Sequence, residues 1–197
     1  MSRARRLPPL LLRLLPGWLS AVLGADAAMA APAHYRLDPE HSFVHFEVLH
    51  FGTSTQRGRF GLLSGAVMID REAGRGDLAV RVATAQVSTG LAVLDARLRQ
   101  ADLLASDEFP EAFFVATRFR FNAGKLAEVR GEFTWRGVSM PLSLLALRFG
   151  CRNDARGEIC GGDFEGEFLR SEFGATFGLP LIGNRVGLRV QVEGVRQ

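Results

Sequence analysis

The stretch LDPEHSFVHFEVLHFGTSTQRGRF, residues 37–60, alternates apolar and polar side chains in its first half and is punctuated by histidines and glycines. A period of two sets Val44, Phe46 and Val48 on one side of the chain and His45 and Glu47 on the other, which is the signature of a strand with one buried face. The same period recurs downstream. Phe113, Val115, Thr117, Phe119 and Phe121 share one parity, with Arg118 and Arg120 on the other. Val186, Leu188, Val190 and Val192 alternate with Arg185, Arg189, Gln191 and Glu193.

Counting all such runs gives eight predicted strands, at 41–50, 59–70, 78–87, 113–121, 126–135, 138–149, 159–169 and 186–195. Glycine-bearing turns separate several of them, as at Gly74, Gly76 and Gly124. Many short strands with turns between neighbours define an antiparallel sandwich or a closed barrel, and spacing alone does not separate the two. One segment departs from the period. Residues 92–104 place Val93, Leu94, Leu98, Leu103 and Leu104 among Asp95, Arg97, Arg99 and Asp102 at helical spacing, so a short helix is predicted between the third and fourth strands, ending before Pro110.

The first thirty residues read as a separate object. Arg3, Arg5 and Arg6 precede an apolar run, and Ala28, Met29 and Ala30 supply a small-residue cleavage site, so residues 1–30 are predicted to be a cleaved signal peptide directing export. Arg13, Pro16 and Gly17 break the run, which is too short for a spanning helix. Of 24 basic and 21 acidic residues, this segment holds four arginines and one acid, which leaves 20 of each in the remainder. The basic balance therefore belongs to the leader, and nucleic-acid binding, which needs a clustered basic face, is not expected. The remaining 167 residues form one predicted domain, about 33–195, long enough to bury roughly 70% of its unfolded surface.

Cys151 and Cys160 are the two cysteines. An even count at short range in an exported chain reads as a structural disulfide clamping a loop between strands. A metal pair lacks neighbouring His or Cys partners, and a redox dithiol lacks C-x-x-C spacing.

Over nearly the whole mature chain the sequence resembles the YceI-like family, secreted bacterial lipocalin-like barrels associated with isoprenoid lipids. Tyr35, Asp38, His41, Ser42, Val44, Phe46, Val48, His50 and Gly52 match the family's opening strand, and Gly58, Phe60, Gly65 and Asp70 match its second. Thr89, Gly90, Asp95, Leu98 and Asp102 follow its T-G and R-D-x-H-L segment. Phe109, Pro110 and Phe114 resemble its P-x-x-x-F step, Gly131, Phe133, Gly137, Val138 and Leu142 its G-x-x-T-x-x-G hairpin, and Arg170, Phe173 and Gly174 its R-x-x-F-G close. Leu94 and Arg97 stand where the family usually has Arg and His, and Leu103 and Leu104 where it often has paired phenylalanines.

The resemblance implies an all-β fold, an eight-stranded antiparallel lipocalin-like β-barrel with one short helix between strands 3 and 4. It also implies a periplasmic location and a polyisoprenoid or similar amphiphilic lipid, of quinone or prenyl phosphate type, in the interior. An eight-stranded barrel is just wide enough to be filled by its own side chains or to hold one small ligand. At ~0.8 kcal/mol per buried CH₂, a few isoprene units exceed the roughly 8 kcal/mol of a micromolar complex, so discrimination falls to the headgroup end. The expected barrel lining is Phe46, Val48, Phe60, Val82, Phe113, Val115, Phe119 and Phe133, and the expected mouth is His41, Ser42, His50, Asp95, Arg97 and Arg170.

Neither metal nor catalytic chemistry is indicated by spacing. His41 and His50 face opposite sides by parity, and His41 and His45 stand roughly 13 Å apart along a strand, too far for common ligation of one ion. Ser42 beside His41 faces away from it and lacks a G-x-S-x-G elbow. Asp95 and Asp102, seven apart, form an acid pair only if they share a helical face, and read otherwise as capping and solvated charges. The expectation is therefore a lipid carrier with no cofactor and no chemical step. The alternatives are a barrel-based enzyme or redox accessory acting with a membrane cytochrome, and a filled stress protein. Transient membrane contact and a homodimer are both allowed.

Overall fold

A computed structural model describes residues 31–197; the predicted signal peptide lies outside the described residues. Eleven strand segments form one antiparallel sheet closed on itself: β1 (Ala33–Leu37), β2 (Phe43–His50), β3 (Ser54–Phe60), β4 (Ser64–Asp70), β5 (Arg75–Ala83), β6 (Val87–Ser88), β7 (Glu111–Asn122), β8 (Lys125–Trp135), β9 (Val138–Asp154), β10 (Gly157–Leu169) and β11 (Ile182–Arg196). They reduce to eight barrel strands because the first three are interrupted. β1 and β2 run end to end along β11, with Leu37 opposite Gly194 and Phe43 opposite Gln191. β3 and β4 are likewise one strand broken at residues 61–63, and β6 extends β5 alongside β3. β1 pairs with both β4 and β11, which closes the barrel and leaves no free edge there.

Inward parity follows the sequence where one face is apolar and the other charged, as in β11. β7 does not. Its buried residues are Ala112, Phe114 and Ala116, after which a bulge between Ala116 and Arg118 shifts the register and turns Phe119 and Phe121 toward the core. Phe113 and Val115 are therefore largely outward, 36% and 49% exposed, and Val115 is not a lining residue as expected. Phe113 still borders the cavity, as expected. The extra residue of a bulge flips every side chain beyond it, and three consecutive apolar residues at 113–115 hide that shift from a parity count.

Two close approaches require glycine. A Cβ on Gly58 would stand 2.4 Å from Cζ of Phe46, whose ring lies across it, and one on Gly131 would stand 2.2 Å from the Val115 carbonyl oxygen. The helix α1 (Ala92–Leu98) is shorter than predicted. Residues 99–104 turn back instead, with the Leu104 N–H donating to the Leu98 carbonyl at 2.9 Å, so Leu103 and Leu104 fold over the barrel end.

Cys151 and Cys160 are directly opposite in the β9–β10 hairpin and are disulfide-bonded. Closing a ten-residue loop contributes about 2.7 kcal/mol through lost unfolded-state entropy. Replacing both cysteines with alanine is expected to lower Tm by roughly 5–11 °C in thermal melts, and an unchanged Tm would show that the hairpin constrains its own unfolded state.

Glu128 on β8 is almost fully covered by Arg130 and Arg120, which donate to its two oxygens at 2.7 and 2.9 Å. Those bonds, Arg130 first and Arg120 next, hold its carboxyl down at about 2, against 4.5 for a free glutamate. A depressed folded-state pKa contributes stability that is complete above about pH 4.5 and lost as pH falls toward 2. Glu128→Gln should flatten the acid side of the stability curve between those values, measured by denaturant titration at stepped pH. An unaltered acid slope would remove Glu128 from the acid response.

Candidate functional site

The barrel encloses an apolar cavity of about 420 Å³, within the range of small-molecule sites. The lower end is sealed. Tyr35, Ile69 and Cys160 pack there with Phe121 and Phe149, and the Tyr35 hydroxyl donates outward to Glu158 at 2.5 Å. Burial, then the Glu158 carboxylate, raises the Tyr35 phenol above its ordinary pKa. At the upper end the lining includes the partly exposed His50, Arg97 and Phe177, which mark the mouth. Three segments frame it: α1, the β2–β3 turn and residues 174–182.

The wall itself shows that the barrel is not filled. Val48, Val80, Val82, Leu188 and Val190 line the cavity and stay only half-buried: Val48, Val82, Leu188 and Val190 pack sideways against the core clusters, but their inner surfaces border the cavity. A further cluster of packed aromatics lies at the mouth end. Phe173, 2% exposed, has its ring centroid 5.2 Å from that of Phe133, 5.3 Å from Phe168 and 5.6 Å from Trp135.

Of the residues singled out in the sequence, Phe46, Val48, Phe60, Val82, Phe113, Phe119 and Phe133 border the wall, and His50, Arg97 and Arg170 lie on it toward the mouth. His41 and Ser42 do not belong to the mouth. They occupy the break between β1 and β2 beside Glu193, toward the sealed end, since β2 climbs from Phe43 to reach the opening only at His50. Ser42 is fully buried and exchanges 3.2 Å hydrogen bonds with the Glu193 backbone. Asp38, His41 and Glu193 bring ligand atoms within 4.8 Å of one another. Arginines already occupy those carboxylates, however: Arg156 donates to Asp38 at 2.7 Å and Arg152 to Glu193 at 3.0 Å. Burial pushes the Asp38 carboxyl up, but Arg156 and His41 hold it below its usual range.

Asp95 is near the mouth but off the wall. It accepts from the Thr89 hydroxyl and backbone N–H, both at 2.7 Å, and these bonds lower its pKa while pinning the chain before α1. Asp102 lies beyond the helix and takes a two-pronged 2.7 Å bond from Arg97, so the two acids do not form a pair. Arg97 also lies over the Phe177 ring, 4.2 Å from its centroid. Arg170 is 5% exposed and donates to the carbonyls of Ala175, Gly183 and Ile182 at 2.6–2.8 Å, which staples residues 174–183 to the barrel. Burial alone lowers its pKa; no carboxylate opposes it. Trp135, Phe168 and Phe173, which form the buried mouth-end cluster with Phe133, carry no sequence signal of a site, because buried aromatics read as ordinary core; Phe177, 49% exposed, lies outside that cluster against Arg97.

A closed up-and-down barrel of eight strands with an apolar interior and one framed opening has the lipocalin-like barrel architecture. The YceI-like domain profile matches residues 35–194. Relatives include Protein YceI of Shigella flexneri, 32% identical over 93% of this chain and 97% of its own, and a UPF0312 protein of Pseudomonas paraeruginosa, 34% identical over 90% and 94%. The chain belongs to the YceI-like family. Its fold is shared by BcnA of Burkholderia cenocepacia (TM-score 0.66, 17% identity, 80% of this chain and 98% of that one). It is also shared by a polyisoprenoid binding domain from Saccharophagus degradans (TM-score 0.57, 19% identity, 83% and 98%).

Proposed function

We propose that the protein is an exported carrier that takes up a polyisoprenoid, a quinone or a prenyl phosphate, in the barrel interior and returns it unchanged. The observation that carries this reading is the apolar cavity of about 420 Å³, walled by inward aliphatics that remain only half-buried. The polyisoprenoid binding described for the Saccharophagus degradans domain supports the lipid class. The Cys151–Cys160 disulfide fits an oxidising compartment such as the periplasm. A conversion step lacks support because Ser42, Asp95 and Asp102 are each committed to bonds within the fold.

Such cargo resides in membranes, and the rim is suited to reach it. Leu49, Phe51, Leu91, Val93, Phe177 and Leu181 are each about half exposed or more. The Phe51 N–H donates to Leu181 at 2.8 Å, tying two of the rim segments together. An apolar rim continuous with an apolar cavity gives a lipid chain a water-free path from a bilayer. Replacing Phe51 and Leu181 with serine should slow uptake from vesicles at least about tenfold, at ~1.5 kcal/mol or more for each side chain kept out of the bilayer. Affinity for lipid presented in micelles should hold, and equal uptake rates from vesicles would exclude the rim as the entry.

Carrier and enzyme are separated by incubation with excess prenyl quinone or prenyl phosphate followed by extraction. A carrier returns about one unaltered lipid per chain; an altered lipid accumulating beyond one per chain would overturn the reading.

A further inference from the structure

Two buried groups on the cavity wall retain hydrogen-bonding capacity that the protein does not use. Trp135, 7% exposed, lines the cavity at the upper end of β8, and its indole N–H has no acceptor among the described residues. A buried donor left without a partner is a cost that native folds seldom carry without a reason. Arg170 also lines the cavity, and its three bonds to carbonyl oxygens account for three of the five N–H groups of a guanidinium. The two residues meet at Ala175. Trp135, Phe173 and Ala175 belong to one packed cluster, and Nη1 of Arg170 donates to the Ala175 carbonyl at 2.6 Å.

Charge on the wall is one-sided. Among the described residues the lining contains Arg97 and Arg170 but no aspartate or glutamate. Arg97 is neutralised by Asp102, which leaves Arg170 as the lining cation with no carboxylate against it among the described residues. A buried charge is normally paired, so an acceptor brought by a ligand would complete this site.

We infer that Trp135 and Arg170 form a headgroup site at the mouth end, for a lipid whose head presents a hydrogen-bond-accepting oxygen, with its chain running toward Tyr35 and Ile69. This rests on the carrier reading and adds which end of the lipid is recognised and by which groups. A quinone carbonyl and a phosphate oxygen share that chemistry. A prenyl hydrocarbon lacks it and depends on the wall alone.

The test uses the full chain with Trp18→Phe, which leaves Trp135 as the one remaining tryptophan of two. A prenyl hydrocarbon, a prenyl quinone and a prenyl monophosphate of equal chain length are titrated, with inorganic phosphate as a fourth probe. The readouts are affinity and the ¹H–¹⁵N resonance of the single indole. The hydrocarbon should bind without moving the indole proton. At least one oxygen-headed lipid should bind about tenfold more tightly and shift that proton downfield, the change expected for one hydrogen bond gained in a dry site. Which of the two does so distinguishes a carbonyl head from an anionic one. Trp135→Phe, which keeps an aromatic packing group, should reduce the preference to about threefold or less while hydrocarbon affinity holds.

Equal affinity for the three lipids with an unmoved indole would overturn the headgroup site and leave lipid binding standing. Inorganic phosphate shifting the indole as strongly as the lipid would overturn the lipid-head assignment in favour of a free anion. Binding of none of the lipids would overturn both this site and the carrier reading. The indole shift is read in protein that retains Trp135, so the site is tested even if the Trp135→Phe chain does not fold.

Discussion

Leu188→Trp should abolish lipid uptake while leaving the barrel folded. Leu188 lies inward at the middle of β11, opposite Phe46 on β2 and Gly166 on β10, and it lines the cavity while packing beside its neighbours on the wall. An indole there would occupy the passage that joins mouth and floor. Excluding roughly five carbons of cargo at ~0.8 kcal/mol each removes about 4 kcal/mol, or ~10³-fold in affinity. Tm should hold, because the added ring enters a void. A filled barrel behaves in the opposite way: overpacking would cost about 1–3 kcal/mol of stability with no ligand to lose. Thermal melts and lipid titration on the same variant therefore separate an open barrel from a filled one.

Phe173→Ala should produce the largest loss of stability. The ring is 2% exposed and is surrounded by Phe133, Trp135 and Phe168. Its backbone carbonyl accepts from Nε of Arg136 at 3.0 Å, and Arg136 also donates to the carbonyls of Ala101 and Leu103. The residue thus joins the barrel wall to the segments that frame the mouth. Truncating a buried phenylalanine costs about 3–5 kcal/mol, which corresponds to a Tm fall of roughly 6–20 °C for a domain of this size. The mouth should loosen with it, so bound lipid should dissociate faster than from a variant equally destabilised at the sealed end, such as Ile69→Ala. A Tm loss of under about 2 °C would mean that the cluster can collapse into the gap.

What was legible in the chain followed from contrast between its two faces. β11 could be assigned residue by residue because Val186, Leu188 and Val190 alternate with Arg185, Arg189 and Gln191. Where contrast fails, parity fails: Phe113, Phe114 and Val115 are apolar on both faces, and a bulge just beyond them moves the inward register by one. The lower half of the first strand, β1, is five residues with a buried tyrosine and leucine between exposed polar groups, too short to register as a run. The upper end of β3 is polar, and Gln56 on the cavity wall conceals its strand character.

The site was less legible than the fold. Arg97 and Arg170 were identifiable as cations in apolar surroundings, but His41 and Ser42 were assigned to an opening that lies at the other end of their strand. Which end of a barrel opens depends on how loops 99–104 and 174–182 fold over it, a long-range outcome that local pattern does not carry. Trp135 illustrates the same limit. Its free indole N–H becomes visible only when every neighbour around it has been placed.

The most direct measurement is native mass spectrometry of the exported protein purified without detergent, followed by solvent extraction of whatever it holds. We expect a one-to-one adduct that extracts as a prenyl lipid, or that forms on incubation with prenyl quinones or prenyl phosphates. A bare mass under both conditions would contradict lipid carriage by this barrel.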